Sequence, residues 1–327
     1  MISCPPFEKS IYLAFSVMLS ILLFFHNPFL PNFFTPGSED WYVNFSVMIF
    51  HPNEAYWNES ILLPLIGKIT GASKSLVGYK ILCAWISILI LPTLAALSLA
   101  YFDRITYGYV FLISFATSFR YLWTYDLGHP DPLTILFLGS IPLLRSKLSI
   151  FICAFMASLS HFSMALIAIL ELLILYWASL KPSSSGYRGL ALALFAGLCF
   201  GRVFLSIWYW IFNYTSPLGR IEFILNSGVS FFYDRYQFNP LGFWLTPGMI
   251  YLVINGFMLS FFIFNKNWKL VGGLLLVLLM NYAAMFITVD GLRIFAVVCC
   301  GSYIFLLTRC IDSIRSISNN QSHKNAI

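Results

Sequence analysis

The sequence predicts an all-α fold, a polytopic bundle of about ten membrane-crossing helices forming a single domain over residues 1–327. Three observations carry that prediction. The chain is 59% hydrophobic and only 10% charged, where a soluble domain carries roughly 25% charged residues. Apolar runs long enough to cross ~30 Å of hydrocarbon recur along its whole length. Lysines and arginines also gather in every second short loop, with acidic residues in the loops between, which is the charge pattern that sets membrane orientation.

Taken in order, the spans fall near 11–27, 76–101, 106–124, 132–144, 148–160, 163–180, 189–212, 243–264, 269–288 and 292–310. The first run has no small-residue cleavage site after it; "FFHNPFLPNFF" follows instead, so the segment reads as a retained span. Segments 132–144 and 148–160 are short for a ~20-residue span and predict tilted, half-crossing or re-entrant pieces. The 33-residue stretch from Leu148 to Leu180 is too long for one span and breaks at His161. With the N-terminus inside, one face receives Lys9, Arg104, Arg145, Lys147, Lys181, Arg188, Lys266, Lys269, Arg309, Arg315 and Lys324. This predicts cytoplasmic termini, a cytoplasmic tail over 311–327, and two long external connections, 28–75 and 213–242.

The net charge of +6 therefore reports topology and points to no nucleic-acid partner. Five of the seven cysteines (Cys83, Cys153, Cys199, Cys299 and Cys300) lie inside apolar runs, where cysteine behaves as a small hydrophobe. No metal-type cysteine spacing and no disulfide framework is legible. The absence of GxxxxGK[ST], HExxH and paired CxxC motifs argues against a nucleotide-hydrolysing engine.

The polar constellations converge on the external side. In "PGSEDWYVN" the adjacent carboxylates Glu39 and Asp40 stand beside Trp41 and Tyr42, a set suited to a hydroxyl-bearing ligand whose ring stacks on the aromatics. The same residues also suit a capped interfacial helix. In "YDLGHPDPL", Gly128 and Pro130 break the helix and let Asp126, His129 and Asp131 project from one short turn, with Asp131 at the start of the next helix. Three ionisable groups at membrane depth make a functional site the default reading. His161, flanked by Ser160 and Ser163, falls on the same side as Asp131. Glu171 lies deeper and requires a partner, for which Arg202 in span 189–212 is the expected ion pair. "FFYDRYQFNP" surrounds Asp234 and Arg235 with aromatics including Tyr233, which fits a saccharide or an interface belt. "VDGLRIF" sets Asp290 and Arg293 on one helix face, either as a self-satisfied pair or with Arg293 free to grip a phosphate.

The arrangement resembles the polyprenyl-phosphate-dependent membrane glycosyltransferases of the GT-C type. "SEDWYV" stands where their catalytic acidic loop follows the first span, "GHPDPLTILFLG" is similar to their polar helix start, and "ILLPLIGKITG" to their amphipathic stretch before the second span. A second region, "SFRYLW…LLRSKLSIFICAFMASLSHFSMALIAIL", resembles the histidine-bearing part of polysaccharide polymerases of the Wzy and EpsG kind. Both resemblances imply glycosyl transfer from a lipid-linked saccharide at the external face of a bacterial inner membrane, in O-antigen or other surface polysaccharide assembly alongside assembly proteins. On this reading Asp40 first and Asp131 second, with Glu39 beside Asp40 as a further catalytic candidate, deprotonates the acceptor. Arg293 or Arg235, together with His161, meets the departing phosphate, Trp41, Tyr42 and Tyr233 hold sugar rings, and Asp126, His129, Asp234 and Asp290 line the substrate. The carrier's tail lies among membrane lipid and no soluble cofactor is needed; the spacing leaves open a divalent cation bridging Asp40 or Asp131 to phosphate. A flippase or transporter is the non-enzymatic alternative, and it would make Glu171 and Arg202 the sensitive pair.

Overall fold

The computed structural model describes residues 5–25, 40–51, 59–103, 106–108, 128–179, 185–214, 249–286 and 291–324, with the single positions 230, 233 and 241. Every regular element among the described residues is helical: α1 Pro6–Phe25, α2 Asp40–Val47, α3 Leu62–Thr70, α4 Leu76–Tyr101, α5 Asp131–Ser140, α6 Lys147–Ser160, α7 Phe162–Ala178, α8 Ser185–Ile211, α9 Met249–Phe264, α10 Trp268–Phe286 and α11 Gly291–Lys324. Short 3-10 turns at Ala72–Lys74 and Ile141–Leu143 precede α4 and extend α5. Four of these helices contain stretches long and apolar enough to cross a membrane: Leu76–Tyr101, Arg188–Ile211, Trp268–Met285 and Arg293–Ile314. With the shorter apolar helices α5, α6, α7 and α9 they make this a helical membrane protein. The expected span at 106–124 falls almost wholly outside the described residues.

The expected breaks are present. Ser146 and Ser75 stand before α6 and α4 in extended conformation, and Ser75 Oγ accepts the Gly78 N–H at 3.0 Å, capping α4. His161 is a single extended residue between α6 and α7. It turns the 33-residue apolar run into two helices rather than one. The connection 28–75 contains α2 and α3; Phe45 and Leu63 on them, and Ile49 in the turn after α2, are buried against the bundle. The last span, expected at 292–310, continues as one helix to Lys324.

Small residues set the packing. Lipid tails are as apolar as leucine, so close approach of backbones holds membrane helices together more than burial does. A Cβ at Gly197 would meet the Phe151 carbonyl at 2.6 Å, and one at Gly201 would collide with Ser158, so α8 lies directly against α6. Gly189 faces Lys147 at the start of α6, so the two helices run parallel. Helix α11 is central, with 94% of its apolar window buried. Its Ala296, Cys300, Gly301 and Ser302 admit neighbours closely: Gly301 faces the Leu138 carbonyl of α5 and Leu172 of α7, and Gly139 faces Cys300. These contacts run α5, α7 and α11 in one direction and α6, α8 and α10 in the other. One end of the bundle accordingly gathers Arg145, Lys147 and Lys269, with Arg145 Nη2 donating to the Tyr101 carbonyl at 2.9 Å. His129, Asp131, His161 and Arg293 occupy the opposite end of these helices.

Candidate functional site

The turn before α5 builds the site. Gly128 adopts φ +124°, a region that side chains disfavour, and this reverses the chain tightly. Pro130 precedes the helix and Asp131 opens it, as the sequence predicts. Two hydroxyls hold the turn from below. Ser160 Oγ, at the end of α6, donates to the Pro130 carbonyl at 3.1 Å, while Thr134 Oγ1 lies 3.0 Å from that carbonyl and 2.8 Å from Ser160 Oγ. Thr134 and Ser160 are fully buried.

Asp131 is 1% exposed, and its Oδ2 lies 3.3 Å from Arg293 Nε at the start of the central helix. The contact is an ion pair; neither carboxylate oxygen accepts a hydrogen bond of good geometry among the described residues. Arg293 Nη1 also lies 3.3 Å from His129 Nδ1. A guanidinium can only donate, so Nδ1 accepts and the imidazole proton of the neutral ring resides on Nε2. The His129 ring in turn meets Tyr42 edge-on, with centroids 5.0 Å apart. Aspartate, arginine, histidine and tyrosine from α5, α11, the preceding turn and α2 thus form one cluster.

Helix α6 sets the height of the cluster above the basic end: its fourteen residues rise about 21 Å before stopping at Ser160, less than the ~30 Å hydrocarbon thickness. His161 follows Ser160 directly, is 7% exposed, and has Nδ1 3.3 Å from Ser163 Oγ. It stands at the same end as Asp131, as expected.

Arg293 faces Asp131 across 162 positions of chain; Asp290, the partner expected on its own helix face, lies outside the described residues. Two other expectations are corrected or divided. The Glu171–Arg202 pair does not form: Glu171 is fully buried and accepts from Ser302 Oγ at 2.7 Å, whereas Arg202 is exposed over the Phe162 ring at 5.1 Å. Trp41 and Tyr42 diverge, because adjacent helical residues point apart: Tyr42 is buried against His129, and Trp41 is 47% exposed. Tyr233 is exposed. Glu39, Asp126, Asp234 and Arg235 lie outside the described residues, as does the side chain of Asp40, which opens α2.

Sequence reading missed Tyr79 and Lys80, buried side by side near the start of α4. Tyr79 stands beside Tyr42, and its hydroxyl makes no hydrogen bond among the described residues. A lysine inside an apolar run was the available signal. Among the described residues no three histidine, cysteine, aspartate or glutamate side chains come together as a metal cage. Comparison of the chain with family models, with curated proteins and with solved structures returns no match.

Proposed function

We propose that this chain is a glycosyltransferase of a bacterial inner membrane, acting on a polyprenyl-phosphate-linked sugar, with cytoplasmic termini and the Asp131 cluster facing the external side. The observation that carries the reading is Asp131 itself: a buried carboxylate whose oxygens accept no hydrogen bond among the described residues, aimed by Arg293, at the end opposite the basic loops. Asp131 takes the proton of the acceptor hydroxyl as its oxygen attacks the anomeric carbon. The bond from that carbon to the phosphate oxygen breaks, and the phosphate leaves with the electron pair. The Arg293 guanidinium, set against Asp131 and His129, stabilises the departing charge. Tyr42 and Tyr79 supply ring faces and hydroxyls for the sugar. Asp40, opening the neighbouring α2, is the second carboxylate for the base role.

A transporter would instead make Glu171 and Arg202 the sensitive positions; Glu171 accepts from Ser302 Oγ and Arg202 lies over the Phe162 ring. The test is a gel of surface polysaccharide from host cells lacking the gene, complemented with wild type, Asp131→Asn or Glu171→Gln. Single-sugar transfer predicts a ladder shifted by one sugar at every rung without the gene and with Asp131→Asn, restored by wild type and Glu171→Gln. A ladder collapsed to one repeat unit would identify a polymerase. An unchanged ladder would refute both carbohydrate readings.

A further inference from the structure

Helix α8 is the least buried of the four long apolar helices, with 28% of its window covered. Leu192, Phe195, Phe200, Val203, Ile207 and Trp210 on it are all exposed, which identifies the outward surface as lipid-facing. In the middle of that surface stands Arg202, also exposed. Its guanidinium lies over the Phe162 ring at 5.1 Å and meets no carboxylate among the described residues. A charged side chain directed at hydrocarbon is costly and marks a functional position by default. Beside it runs a shallow groove of about 300 Å³ lined by Arg202, Val203, Ser206, Ile207 and Trp210. Charge complementarity selects an anion, and the surrounding apolar side chains select one that carries a lipid tail.

Height connects the groove to the Asp131 cluster. Gly201 packs on Ser158, so the next residue, Arg202, lies level with the last turn of α6. Phe162, under the guanidinium, follows His161 and Ser160, and Ser160 is bonded to the Pro130 carbonyl next to Asp131. A phosphate held at Arg202 is thus separated from the cluster by the α6–α7 corner alone.

We infer that the Arg202 groove is the lateral docking site for the phosphate of a membrane-dissolved polyprenyl phosphate, the carrier lipid of the proposed reaction, with Val203, Ile207 and Trp210 against its isoprenoid chain. The inference rests on the glycosyl-transfer reading and names where its donor arrives from the bilayer. Arg202 acts as a binding residue for the carrier and takes no part in the chemistry at the anomeric carbon.

The test uses the full-length protein in detergent, with native mass spectrometry measuring retention of undecaprenyl phosphate, undecaprenol and phosphatidylglycerol. Wild type is expected to retain undecaprenyl phosphate at least tenfold better than the phosphate-free alcohol or the bulk anionic lipid. Arg202→Gln should lose that preference, Arg202→Lys should keep part of it, and Asp131→Asn should keep all of it. Because Arg202 is exposed and makes no ion pair among the described residues, Arg202→Gln should remain monodisperse with an unchanged melting midpoint, so a loss of binding reports the site and not the fold. Retention equal to wild type in Arg202→Gln overturns the inference, and so does equal retention of phosphatidylglycerol. If the polysaccharide ladder still depends on Asp131, those results leave the glycosyl-transfer reading standing. A ladder indifferent to Asp131 refutes that reading, whatever the lipid retention.

Discussion

Replacing Arg293 with glutamine tests whether the cluster is electrostatically coupled. Asp131 is 1% exposed, and the Arg293 side chain is 21% exposed, with 3.3 Å between Nε and Oδ2. At that separation and an effective dielectric of ~20, the gross attraction is about 5 kcal/mol before desolvation is counted. Removing one partner of a buried pair costs about 3–5 kcal/mol, because the remaining charge is stranded. The partial exposure of Arg293 places Arg293→Gln near the lower bound, about 3 kcal/mol. The double variant Asp131→Asn with Arg293→Gln strands no charge and leaves two neutral amides, at a cost of about 1–2 kcal/mol. The cycle should thus be non-additive by about 2 kcal/mol or more, with the double variant more stable than Arg293→Gln alone. Unfolding in mixed micelles by SDS titration, followed through the fluorescence of the nine tryptophans, measures all four corners. A double variant that costs the sum of the two singles would refute the coupling, and with it the role of Arg293 in aiming Asp131.

Gly201→Leu should separate α8 from α6, since its side chain would enter the space of Ser158; the expected cost is about 1–3 kcal/mol by the same titration. Glu171→Gln keeps an acceptor for Ser302 Oγ and should hold stability within about 1 kcal/mol, whereas Glu171→Leu leaves that buried hydroxyl without its acceptor and should lose about 1–3 kcal/mol. A folded Glu171→Gln protein without activity would return the buried carboxyl to the centre of the function.

Local chain chemistry determined what the sequence alone could determine. Apolar length and scarce charge established the membrane class. The restricted backbone of proline, the permissive one of glycine and an excess of apolar residues over one span placed the breaks at Gly128–Asp131 and at His161. All of these act over a few residues or through composition, so no fold is needed to read them. The tertiary structure decided how each helix is rotated about its axis. In water that rotation is written as an apolar stripe, but in lipid both the packed and the outward faces are apolar, and the stripe vanishes. Hence Glu171 and Arg202 read as partners although one faces Ser302 and the other faces outward. Likewise Trp41 and Tyr42 read as one aromatic pair although they point apart. Rotation of α5 and α11 is fixed by Gly139 against Cys300 and Gly301 against the Leu138 carbonyl, and that contact of small residues is what brings Arg293 onto Asp131.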